Sequence, residues 1–311
     1  MPTPLLATLA SRQLLVVTGK GGVGKTTVAV ALGSALAAAG RHALVLEVDP
    51  RENAHRLLGV PPSGGEVTKI RPGLFLQNLQ PRAVLDQLVR EQVRIGPVVR
   101  RILGSEIYRH FVEGAPGFKE LAILGHALRL LRGLERVTPS RGRRRRLAAA
   151  APPDVDVVVL DAPATGHGLA LLQAPRLTAA TVGRGPFGKM AGELAALVDD
   201  PELTGVVVIT AAEEMPMQEA LELLARLRGE LHREAEAVVV NGLLPPFPAA
   251  EEPVDALGRL WHDRRAVNDR ELARLAAAWP GARPELPLLA VDGGPTLVQA
   301  LAARLAAEGR A

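Results

Sequence analysis

Short apolar runs recur along the chain without polar alternation. The first, residues 13–18, gives way to a glycine-rich stretch. Residues 28–39 follow with neither proline nor charge, and Gly40 supplies a C-terminal stop. A buried strand, a tight loop and a helix are predicted. Further runs at 43–48, 74–79, 155–160, 205–210, 236–240 and 286–291 read as strands buried on both faces. Residues 82–134 read as mostly helical. Phe118, Leu121, Leu124, Leu128, Leu131 and Leu134 recur there at three- and four-residue steps, an apolar stripe that either packs on the sheet or receives a partner. Ala220, Leu224, Leu227 and Leu231 form the face of another helix, with Pro216 near its first turn. Residues 253–278 and 296–308 complete the helical pattern. Strands alternating with helices predict an α/β fold, a mostly parallel sheet covered by helices on both faces.

The predicted organisation is a single domain over 1–311. It carries a helical insertion at about 82–135 and a biased, basic linker at about 139–153. The chain has 311 residues, enough for a substantial core without staples. It has no cysteine, which excludes disulfides and cysteine-held iron–sulfur clusters. No basic region followed by an apolar core opens the sequence, and no apolar stretch of about 18 residues occurs, so a cytoplasmic location is expected. The net charge of +4 is mild, and much of it sits in the run Arg141–Arg146. That run is either a solvated loop or a contact for anionic lipid or nucleic acid. Aromatic residues make up 3%, too few for base-stacking platforms.

The chemistry gathers where strands end. Residues 19–27 read Gly-Lys-Gly-Gly-Val-Gly-Lys-Thr-Thr between a strand and a helix. Gly19, Gly21, Gly22 and Gly24 let the backbone approach a ligand, so that successive N–H groups, Val23 and Thr27 included, form an anion nest at a positive helix end. In this G-x-x-x-x-G-K-T spacing Lys25 reaches the β- and γ-phosphates and the Thr26 hydroxyl binds Mg²⁺, which makes ATP and Mg²⁺ the expected ligands. Asp49 closes the strand at 43–48, placed either to orient the water that attacks the γ-phosphate or to cap the next helix. Asp161 closes the strand at 155–160 and would hold Mg²⁺ through water. Asn241 closes the strand at 236–240 and offers a donor and an acceptor to an adenine edge, or serves only as a turn residue before Gly242.

The second lysine of the loop, Lys20, resembles the deviant Walker A loop of the SIMIBI-type P-loop ATPases. Asp49-Pro-x-x-Asn53 resembles switch I of the ParA and ArsA types. Pro116-Gly-x-x-Glu120 and Asp161-Ala-Pro-Ala-Thr-Gly-His-Gly168 resemble the segments around switch II of the ArsA-like and tail-anchored protein targeting ATPases. The resemblance covers nearly the whole chain in motif order, with a single phosphate loop. It departs at Arg51, Glu52, Ala162, Pro163, Ala164 and Gly168. It implies a Mg²⁺-dependent ATP hydrolase with Lys20, Lys25 and Asp49 as catalytic residues and Lys20 acting across a dimer interface. Such cationic groups supplied in trans are worth roughly 10³–10⁵ in rate. It further implies a switch II built from Asp161, Thr165, Gly166 and His167, where Gly166 offers its N–H to the γ-phosphate and His167 either switches or makes a structural bond. Asn241 falls on the family's adenine loop. The implied partners are a second copy or a paralogue and an unidentified protein client. Without cysteine the metalloid site is not expected. Residues 175–204 are expected to be too short and glycine-rich for a full client groove. A ParA/MinD-like ATPase acting on nucleoid or membrane is the alternative; the Arg141–Arg146 run favours it and the Thr-Gly-His turn opposes it. A slow nucleotide-bound scaffold, half of a hetero-oligomer, is a third reading.

Overall fold

The computed structural model describes residues 5–49, 51–92, 95–106, 108, 110, 114, 117–134, 154–163, 167–182, 186–246 and 255–307. Along the chain these form α1 (Leu5–Ala10), β1 (Leu14–Gly19), α2 (Lys25–Ala38), β2 (Ala43–Glu47), α3 (Ala54–Leu58), β3 (Thr68–Arg71), β4 (Leu74–Asn78), α4 (Pro81–Gln92) and α5 (Gly96–Leu103). There follow α6 (Phe118–Leu131), β5 (Val157–Asp161), α7 (His167–Val182), α8 (Pro186–Asp199), β6 (Thr204–Thr210), α9 (Glu214–Leu231), β7 (Ala237–Leu243), α10 (Ala256–Ala278), β8 (Glu285–Pro287) and α11 (Pro295–Ala307).

One sheet runs in the order β3-β4-β2-β5-β1-β6-β7-β8, with every pairing parallel except β3 against β4. Parallel neighbours need crossover helices, and those helices cover both faces. The two-residue period of the strands divides the core accordingly. Leu14, Val16, Val158, Leu160, Val206 and Val208 face a layer built from α4 and α6 to α10. Leu15, Val17, Val157, Val159, Val207 and Ile209 face α1, α2 and α11. β1 lies near the middle, between β5 and β6, so the loop after it emerges over the most deeply packed part of the sheet.

The predicted strands are present with small shifts, except the last. β8 is three residues long, and Leu288 and Val291, expected to continue it, are exposed at 55% and 42%. β3 carried no apolar run because only alternate positions of this antiparallel edge strand are half-buried. The stripe of α6 packs inward through Leu121 and Leu124, together with Ala122, Ile123, Ala127 and Leu130, which the spacing did not single out. The helix ends at Leu131, so Leu134 lies beyond the stripe and is exposed. Residues 175–204 are more helical than expected: Pro175 lies inside α7, and Pro186–Met190 form the start of α8. Arg141–Arg146, the rest of the 139–153 linker, Ala115-Pro116 and Thr165-Gly166 lie outside the described residues.

Candidate functional site

In a parallel α/β sheet, the C-terminal strand ends bring loops from distant parts of the chain to one edge. Here Gly19, Asp49, Asp161 and Ala212 sit at or just beyond the ends of β1, β2, β5 and β6, and Asn241 lies two residues before the end of β7. The phosphate-loop candidate turns between β1 and α2. Gly24 stands before the first residue of α2 with φ +88°, a left-handed conformation that glycine adopts without strain. A side chain there would also meet the Asn241 amide 2.3 Å away. The free N–H groups of the first turn of α2 therefore open toward the strand ends, where an anion is favoured.

Lys25 folds over this loop and donates to the Lys20 carbonyl at 3.0 Å. Burial lowers its pKa, and the charges of Asp161 and Asp49 partly offset that shift. A lysine half-removed from water, with carboxylates near it, is held ready for a more highly charged anion.

Thr26 and Asp161 are joined across the chain. The Thr26 hydroxyl donates to Asp161 Oδ2 at 2.6 Å. The other oxygen, Oδ1, is buried and has no hydrogen-bond partner. Burial raises the Asp161 pKa to about 6, against the opposing effects of the Thr26 bond and the Lys25 charge. A buried carboxylate oxygen without a donor is costly, and a divalent cation with its waters removes that cost. The donor set of one hydroxyl and one carboxylate, both oxygen, suits Mg²⁺.

Asp49 lies just past β2. Its Oδ1 accepts the Arg51 N–H at 2.7 Å, and the residue remains exposed. It therefore caps its own turn rather than α3. Lys20 forms an ion pair with Glu219 of α9 at 2.8 Å, each side chain 29% exposed. Asn241 donates from Nδ2 to the Val23 carbonyl at 2.9 Å, so part of its donor capacity pins the loop itself. Next to it opens a cavity of about 270 Å³ lined by Glu213, Gly242, Leu244, Arg264, Val267, Asn268 and Leu288.

α7 starts against β1. Gly168, in the first turn of α7, stands so close to β1 that a Cβ would lie 2.1 Å from the Thr18 hydroxyl oxygen. This explains one departure from the usual letters: no side chain fits at 168 unless α7 moves. His167 opens α7, while Thr165 and Gly166 fall outside the described residues. The structure thus brings together Lys20, Lys25, Thr26, Asp49, Asp161 and Asn241 as read from the sequence. It adds Glu47, Asn78, Thr18 and Glu219. Of these, Glu47 carried a visible signal, since a charge inside a strand buried on both faces is rare unless it is paired.

The match to known proteins agrees with this geometry. Residues 12–197 match the family model described as anion-transporting ATPase. The chain belongs to the anion-transporting ATPase family. ATPase BagA of Mycobacterium tuberculosis is 29% identical over 268 residues, covering 80% of this chain and 72% of that protein. The ATPase asna-1 of Caenorhabditis elegans is 24% identical over 333 residues, covering 90% and 89%. An arsenical pump-driving ATPase of Acidiphilium multivorum is 27% identical over 288 residues; the match covers 87% of this chain but 44% of the pump ATPase. This member of the family is an ATP hydrolase of the ArsA-like kind. Among the described residues no helix is long and apolar enough to cross a membrane.

Proposed function

We propose that this ATPase works with Mg²⁺ as a nucleotide-gated dimer that holds and releases a partner protein. The observation that carries the reading is the Thr26–Asp161 pair with its unpartnered buried oxygen. Bound there, Mg²⁺ would offset phosphate charge as it develops. The α2 N-terminus and Lys25 hold the phosphates, and the free oxygen of Asp49 orients or deprotonates the attacking water. The cavity beside Asn241 receives the base. Lys20 leaves Glu219 and reaches the γ-phosphate held by the other subunit, a second copy or a paralogue. Hydrolysis then relaxes the segments after β2 and β5 and changes how the partner is held. Because the described residues between 167 and 204 supply two helices, the partner is not a whole transmembrane segment; copurification of tail-anchored membrane proteins would overturn that clause.

The test is steady-state hydrolysis by the full chain over a range of protein concentrations. Specific activity should rise with concentration and vanish when Mg²⁺ is chelated. Lys20→Ala should abolish turnover while leaving ATP binding intact. Wild-type activity in that variant would remove the dimer from the reading.

A further inference from the structure

Two residues with no place in the phosphate loop hold the segment after β2 as a bracket. Glu47 is the last residue of β2, exposed by only 1%, and it stands level with Asp161 on the neighbouring β5. Its Oε1 accepts the backbone N–H of Asn53 at 2.8 Å and of Ala54 at 3.2 Å. Its Oε2 accepts from Asn78 Nδ2 at 3.2 Å. Asn78, the last residue of β4 and 2% exposed, also donates from Nδ2 to the Asp49 carbonyl at 2.8 Å. The loop from Asp49 to Asn53 is thus fixed at its start by Asn78 and at its end by Glu47, and the two fixing side chains are bonded to each other. Ser63 extends the bracket: its hydroxyl accepts the Asn78 N–H at 2.9 Å, and its own N–H donates to Glu52 at 2.7 Å. Burial raises the Glu47 pKa, while its donors from Asn53, Asn78 and Ala54 oppose that shift. A carboxylate sunk this deep is retained only where its acceptor capacity is used, and here both oxygens are used.

We infer that Glu47 and Asn78 are positioning residues that set the Asp49 carboxylate for hydrolysis by clamping both ends of its loop. The inference rests on the proposed role of Asp49 toward water. The chemistry explains why the pair is specific. An amide at 47 has one oxygen and one NH₂ group. Whichever way it turns, an N–H meets either the Asn78 NH₂ or the backbone donors of Asn53 and Ala54. One end of the bracket must open. Positioning of this kind acts on the rate of the bound complex and not on phosphate binding, because the phosphate loop keeps all its own contacts.

The experiment uses the full chain with Mg²⁺ and ATP. Glu47→Gln should lower kcat by about tenfold or more with KM and ATP affinity within about twofold of wild type. Amide exchange at Asn53 and Ala54 should quicken in Glu47→Ala, which removes the acceptor of both N–H groups. Asn78→Ala should lower kcat likewise while leaving those two amides protected by Glu47. It also serves as the second measurement if Glu47→Gln fails to fold. Unchanged kcat in Glu47→Gln and Asn78→Ala, or a kcat loss that only parallels lost ATP affinity, would overturn the inference. If wild-type protein hydrolyses no ATP, the proposed function fails instead. The exchange arm still decides the bracket: unchanged protection at Asn53 and Ala54 in Glu47→Ala would sink it.

Discussion

At Asp161 the stability of the fold and the proposed metal site bear on the same side chain. Its pKa stands at about 6 against an ordinary value of 3.8, mainly because burial disfavours the charged form. Between those values the folded chain keeps a proton that the unfolded chain has lost, so folding is favoured below them and that advantage is lost as pH rises through about 6. At pH 8 the ionised carboxylate costs the metal-free fold on the order of 3 kcal/mol, at 1.36 kcal/mol per unit. Asp161→Asn keeps an oxygen for Thr26 and removes the charge, leaving a buried amide that costs less than a buried ion. Thermal melts without Mg²⁺ should therefore show the variant more stable than wild type at pH 8, with the gap closing near pH 4. Mg²⁺-dependent hydrolysis should fall by about 100-fold or more. A variant less stable than wild type at pH 8 would mean that the carboxylate is satisfied in some other way. The unpartnered oxygen would then cease to mark a metal position.

At the scale of elements, the seating of α7 on β1 can be tested through a single atom. Gly168→Ala places a methyl 2.1 Å from Thr18 Oγ1, a contact that no real pair sustains, so α7 must lift. A cost of about 1–3 kcal/mol is expected from such overpacking. Thr18→Ala should recover part of it, and a double-mutant cycle in urea measures the coupling. Additive effects would mean that the two elements do not bear on each other. This contact was invisible in the sequence, where Gly168 appeared only as a departure from a motif. By contrast, the buried strands from β1 to β7, apart from edge strand β3, were legible. Parallel strands covered on both faces must be continuously apolar, and little else in a soluble chain looks the same. The loop from 19 to 27 was legible as the turn between a strand and a helix, since its glycines and spacing mark one. β3 was not, because an edge strand half in solvent has no need of an apolar run. Glu47 was readable as an anomaly but not as a bracket: its partners Asn53 and Asn78 come from different elements, and only the β2–β4 register places Glu47 beside Asn78.

For the whole molecule, the position of Lys20 decides what a dimer must do first. Within one chain its ammonium already has a carboxylate, Glu219 on α9, at 2.8 Å. A lysine that acts on the neighbouring subunit's nucleotide has to give up that pair. Both partners are 29% exposed, so the bond is worth about 1 kcal/mol or less in water and salt. That is small enough for γ-phosphate to win and large enough to measure. If the pair favours the separate chain, removing the carboxylate shifts the equilibrium toward the closed dimer by the same free energy for each pair. A dimer of two copies breaks the pair twice, so Glu219→Ala should then lower the protein concentration at which specific activity is half-maximal by up to about thirtyfold, with the plateau rate unchanged. Lys20→Ala should stay inactive at every concentration, with or without the second substitution. If Glu219→Ala instead lowers the plateau, the carboxylate steers Lys20 in the working complex. Lys20 would then keep the same partner before and during hydrolysis, and no bond within the chain would oppose dimer closure.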